Sequence, residues 1–79
     1  MKGYVLATID TTNNGMSTIS ASNSIEEDER EEIKSIFNSN GRSLPQLFEE
    51  MSKLGYNIES VYFKNYGIVL ILSRAIDEI

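Results

Sequence analysis

The sequence predicts an α+β two-layer sandwich. A four-stranded antiparallel sheet carries two helices on one face, in the order β-β-α-α-β-β. Three observations predict it. Apolar residues recur at spacings of three and four in 44–54, and in a more uneven helical pattern in 25–37. Strand-forming residues with turn signals flank those stretches as two pairs, 3–9 with 16–21 and 57–63 with 68–72. Two such hairpins merge into one sheet whose apolar face the amphipathic helices cover. The 79 residues fit one domain spanning 1–79.

The first strand places Val5, Ala7 and Ile9 on one face and Tyr4, Leu6 and Thr8 on the other. Neither face is polar, which suits the middle of a sheet. Asp10 to Gly15 is a loop, with the turn dipeptide Asn14-Gly15. Met16 to Ala21 then reads as a short edge strand rich in Ser and Thr.

The first helix should start at Ser24, which forms a capping box with Glu27, and run from 25 to about Asn38, where Asn40-Gly41 ends it. Glu26, Glu27 and Asp28 complement the positive end of its dipole. Ile25, Ile33, Ile36 and Phe37 can pack inward, but 26–32 holds six acids and one base. Two turns with so little to bury should project from the body or cover only its edge.

The second helix has clearer punctuation. Ser43 and Gln46 form a capping box, Pro45 sits in the first turn, and Gly55 follows the end. Leu44, Leu47, Phe48, Met51 and Leu54 share one face. In the next strand, alternation groups Ile58, Ser60 and Tyr62 against Glu59, Val61 and Phe63. Lys64 to Gly67 is a hairpin turn in which Gly67 should take the left-handed conformation. Ile68 to Leu72 is unbroken apolar, which implies a central strand covered on both faces, beside the first strand. The tail after Arg74 either extends that strand or makes one helical turn.

The stretch 47–74 resembles the DUF4177 family of small α/β domains. Its marks are the Leu-bearing helix, Gly55-Tyr56-Asn57-Ile58-Glu59-Ser60-Val61, and the apolar strand from Ile68 to Leu72 that leads to Ser73-Arg74. Tyr56 stands where that family usually has Trp, and the acidic helix has no counterpart there. The resemblance implies a small α/β domain and assigns no site residues.

Composition narrows the chemistry. With no His and no Cys, the usual general base, the thiol nucleophile and the His–Cys zinc sites are excluded. The acidic run lacks the Asp-x-Asp-x-Asp-Gly pattern of a calcium loop, and the five glycines are isolated. No cofactor is expected. Asp10, Lys64 or a tyrosine could serve an enzyme only with an activating partner, so the chain reads as non-enzymatic. The net charge is −5 and the seven cations form no stripe, which argues against direct nucleic-acid binding. No stretch approaches the ~20 apolar residues of a membrane span, and the apolar run at the N-terminus is too short for a signal peptide. A cytoplasmic location follows as the expectation.

Two surfaces stand out. The carboxylates Glu26, Glu27, Asp28, Glu29, Glu31 and Glu32 could occupy a basic groove on a protein partner. Tyr4, Tyr62, Tyr66 and Leu70 could form an apolar sheet face for a ligand or for a second copy in a homodimer. The leading expectation is an acidic protein-interaction or inhibitor domain, of a size and charge common in phages and mobile elements. The alternative is a homodimeric module that binds a small ligand between helix 43–54 and the sheet, near Tyr56, Tyr62 and Tyr66.

Overall fold

A computed structural model of the chain describes residues 1–10, 17–38 and 43–76. The elements follow the predicted order: β1 (Lys2–Asp10), β2 (Ser17–Ala21), α1 (Glu27–Asn38), α2 (Leu44–Lys53), β3 (Asn57–Lys64) and β4 (Gly67–Ala75). The four strands form one antiparallel sheet in the order β2-β1-β4-β3. The first and last strands therefore lie side by side in the centre, and they pair without a break from Lys2↔Ala75 to Asp10↔Gly67.

Strand pairing decides which side chains face the helices. Val5 lies opposite Leu72 and Ala7 opposite Leu70, and all four are fully buried. They pack with Ile25, Ile33, Ile36 and Phe37 from around α1, and with Leu47, Met51 and Tyr56 from α2 and its exit. Burying a side chain of this size stabilises the fold by about 1.5–3 kcal/mol.

Both ends of α2 are built as its sequence suggests. The Ser43 N–H donates to Gln46 Oε1 at 2.8 Å, one leg of the capping box, and Pro45 sits in the first turn. At the far end Gly55 has φ of 91°. The Tyr56 N–H donates to the Met51 carbonyl at 3.0 Å and the Gly55 N–H to that of Ser52 at 2.9 Å, a Schellman motif. Its accompanying apolar contact is between Met51 and Tyr56, both buried.

Five expectations need correction. The α1 helix begins at Glu27, not at 25, because Ser22 to Ile25 closes its own turn with an Ile25 N–H to Ser22 carbonyl bond of 3.1 Å. The Ser24 hydroxyl is engaged with the Ser22 hydroxyl at 3.0 Å rather than in the expected capping box. Gly67 is not left-handed: among the described glycines only Gly55 has positive φ. Gly67 is instead required by crowding, since a Cβ there would lie 2.2 Å from the Ile9 carbonyl oxygen. A β-bulge at Glu59 breaks the alternation in β3, so Ile58 pairs with Leu72 and falls on the same face as Val61 and Phe63. Finally, β4 is central but covered by helices on one face only, and Leu70 belongs to that covered face, not to the open one.

The tail continues β4 to Ala75, and the Ile76 N–H donates to the Met1 carbonyl at 2.9 Å. The Asn14-Gly15 turn, the Asn40-Gly41 helix stop and the last three residues lie outside the described residues.

Candidate interaction surfaces

The six acids of 26–32, five of them in α1, divide into two groups. Glu26, Glu27, Asp28, Glu31 and Glu32 are exposed. Of these, Glu31 has Lys34 at 3.6 Å, one turn away on an exposed face. Glu29 is different: it turns inward and is only 21% exposed. Its Oε2 accepts from Arg74 Nη2 at 2.6 Å and from the Tyr56 hydroxyl at 2.8 Å. The Arg74 guanidinium also lies over the Tyr56 ring, 5.5 Å from its centroid. This cluster joins α1, the exit of α2, and the end of β4. Of the two expected arrangements, projection from the body or cover only at its edge, the contacts of Glu29 fit the second.

The local sequence builds that cluster. The Schellman turn buries Tyr56 beneath the helical layer with its hydroxyl toward α1. Gly55 leaves room for the arginine stem, since a Cβ there would meet Arg74 Cδ at 3.1 Å. Burial, then the hydrogen bond to the Glu29 carboxylate, raises the Tyr56 pKa above its ordinary value. The Arg74 pKa is also raised, first by its contact with the Tyr56 hydroxyl and then, against the effect of burial, by Glu29. Arg74 Nε is buried without a hydrogen-bond partner, so one charged contact and a ring face hold the guanidinium. The arrangement is a structural clamp, with its acid and cation matched to each other.

The outer face of the sheet forms the second surface. Tyr4, Leu6 and Thr8 from β1 share it with Val69 and Ile71 from β4 and Tyr62 from β3. Tyr4, Leu6 and Tyr62 are 49%, 44% and 53% exposed. Thr18 and Ser20 of β2, opposite Thr8 and Leu6, give it a polar margin. At one end Glu59 accepts from the Ser73 hydroxyl and pairs with Lys2 at 3.7 Å. Strand parity put Leu6 on the face of Tyr4 and Thr8, as the register bears out. Val69 and Ile71 were not told apart from their neighbours, because nothing in five consecutive apolar residues marks which of them face the helices.

The predicted tyrosine pocket is not assembled. Tyr56 is buried beneath α1, Tyr62 lies on the outer face, and Tyr66 stands in the hairpin turn. Asp10, Lys64 and Tyr66 do meet, in a shallow concavity of about 240 Å³ completed by Thr8, Ile9, Gly67 and Val69. A second concavity, of about 230 Å³, lies between β2 and α1 and is lined by Ile19, Ala21, Glu27, Arg30, Glu31 and Lys34. Among the described residues no three carboxylates converge on a point that could hold a metal ion, and no helix is long and apolar enough to cross a membrane.

Comparisons with protein-family models, with curated proteins and with solved structures find no match to this chain. Any functional reading therefore rests on the surfaces themselves.

Proposed function

We propose that this chain is a non-enzymatic protein-interaction domain whose main docking surface is the outer face of the sheet. One observation carries the reading. The two central strands present Leu6, Val69 and Ile71, flanked by Tyr4 and Tyr62, with no helix over them among the described residues. An apolar patch with a polar margin is the usual anatomy of a docking site. Tyrosines at its edge supply contact area at little cost in side-chain entropy. The exposed acids of 26–32 support a second reading, an electrostatic surface for a basic partner, because five of the six carboxylates there are exposed together. The two surfaces lie on opposite layers, so they can be tested separately.

The test compares partner capture from the native host by three forms of the protein. Leu6→Asp with Ile71→Asp should abolish capture that persists in high salt. Lysine replacement of Glu27, Asp28, Glu31 and Glu32 should abolish only capture that high salt already weakens. An unchanged set of captured proteins in both variants overturns the proposal.

A further inference from the structure

β2 lies at one end of the β2-β1-β4-β3 sheet, where it pairs with β1. Edge strands offer unpaired N–H and C=O groups to another chain, and proteins commonly blunt them with charge, proline or a bulge. Ser17-Thr18-Ile19-Ser20-Ala21 has no charge and no proline, and its register with β1 runs unbroken. The ladder with β1 fixes the direction of its backbone groups. The Ser22 N–H donates to the Tyr4 carbonyl at 3.0 Å, next to the Val5↔Ala21 pair. Alternation then makes Leu6–Ser20 and Thr8–Thr18 the hydrogen-bonded pairs. The N–H and C=O groups of Ile19 and Ala21 therefore point away from β1, to the free edge.

Along that edge runs α1, in the opposite direction to β2. The Ser17 hydroxyl donates to the Phe37 carbonyl at 3.2 Å, and at the other end the Ser22–Ile25 turn leads into the helix. Glu27, Arg30, Glu31 and Lys34 share one flank of α1, and with Ile19 and Ala21 they line the concavity between helix and strand. Glu29 reaches Arg74 from the flank toward β4 and takes no part. The flank beside β2 reads negative, positive, negative, positive, so it carries no net charge although the helix is acidic. Glu31 and Lys34 lie 3.6 Å apart but are 67% and 50% exposed. Glu27 and Arg30 make no ion pair among the described residues.

We infer that the β2 edge pairs with the β2 edge of a second copy, antiparallel and centred on Ser20, to give one continuous sheet through a two-fold axis. Ile19 of each copy then exchanges both backbone hydrogen bonds with Ala21 of the other, and the side chains of these residues fill the concavity beneath the two helices. The position of the axis along α1 follows from the rise of each element. Three residues along β2 from Ser17 cover about 10 Å, and about 10 Å back along α1 from Phe37 falls between Arg30 and Glu31. The two α1 helices therefore lie antiparallel on the same layer. Arg30 of each copy stands opposite Glu31 of the other, and Glu27 of each opposite Lys34 of the other. Every facing pair is of opposite sign, and this is what selects a second copy: the alternating flank is its own complement under the two-fold. Such an isologous contact uses one patch twice and closes on itself. It is small by the standards of permanent dimers, so association should depend on concentration in the micromolar range.

Sedimentation of the intact chain over a concentration series, combined with amide hydrogen exchange, tests this. The mass should rise toward that of two chains, and the Ile19 and Ala21 amides should pass from fast to at least tenfold slower exchange over the same range. Arg30→Glu opposes two carboxylates on each side of the axis, and Glu31→Arg opposes two guanidinium groups. Each variant alone should associate at least tenfold more weakly. An equal mixture of the two should associate as the unaltered chain does, because each supplies the sign that the other lacks, and so should the double exchange Arg30→Glu with Glu31→Arg. Leu6→Asp with Ile71→Asp, on the outer face, should leave association unchanged. A chain that stays monomeric throughout overturns the inference, as does a mixture that associates no better than its components. So does a dimer in which Ile19 and Ala21 exchange as fast as they do in the dilute protein, a result that needs no variant to fold.

Discussion

The two faces of β4 are made of the same kind of residue and meet different fates. Leu70 and Leu72 are completely buried under the helices, whereas Val69 and Ile71, their neighbours in the chain, lie on the face that no helix covers. The difference comes from the partner strand, because Val5 and Ala7 set the inner face and Tyr4 and Leu6 the outer one. Apolar character alone does not make a core. Its position relative to the covering layer does, and what is left over becomes surface available for binding.

The sharpest way to break this comparison is truncation on each face. Leu72→Ala should cost about 2–5 kcal/mol, the range for a buried leucine whose cavity cannot collapse fully. Ile71→Ala should cost about 1 kcal/mol or less, because water already reaches it. Denaturant unfolding of both variants measures the difference, and equal losses would mean that the two faces are buried alike.

A smaller effect separates the acids of α1 in the same way. Glu29→Ala leaves the Arg74 guanidinium without its carboxylate and the Tyr56 hydroxyl without its acceptor. A loss of about 1–3 kcal/mol is expected, limited by the partial exposure of the pair. Glu32→Ala, on the exposed side, should stay within about 0.5 kcal/mol. Similar values for the two would show that Glu29 is an ordinary surface acid.

The smallest effect is in pH. The folded-state pKa of Tyr56 is raised above the reference value of 10.0, first by burial and then by the hydrogen bond to Glu29. Between the two values the folded state holds a proton that the unfolded state has lost. The stability contributed by the neutral phenol is therefore complete below pH 10 and is lost as pH rises through the folded value. In a phenolate absorbance titration, one step should come late and be missing from Tyr56→Phe. The variant should also show less alkaline loss of stability.

Much of the fold was legible in the sequence because it is locally encoded. The capping box at Ser43, the glycine after α2, and the uninterrupted strand 68–72 each act within a few residues. The features that sequence reading missed are set by distant partners. Ser24 has the chemistry of a cap, but its hydroxyl meets that of Ser22, which accepts from the Tyr4 N–H of β1. Glu29 looks like its neighbours until Arg74, from the other end of the chain, reaches it. The bulge at Glu59 has no local signature, since it is defined only against the register of β4. Of the candidate site, the outer face was half legible: parity placed Tyr4 and Tyr62, while Leu70 was assigned to the wrong side.

The pairing of β1 with β4 has a consequence for how the chain acquires its structure. β1 has its longest ladder with β4, and the other two strands and both helices lie between them in the chain. Until β4 is available, β1 has only the five residues of β2 to hold it, and a two-stranded ribbon is marginal in water. Closing so long a loop costs entropy before any central contact forms, which slows folding. A fragment that stops before Gly67 should therefore not hold the helices in place.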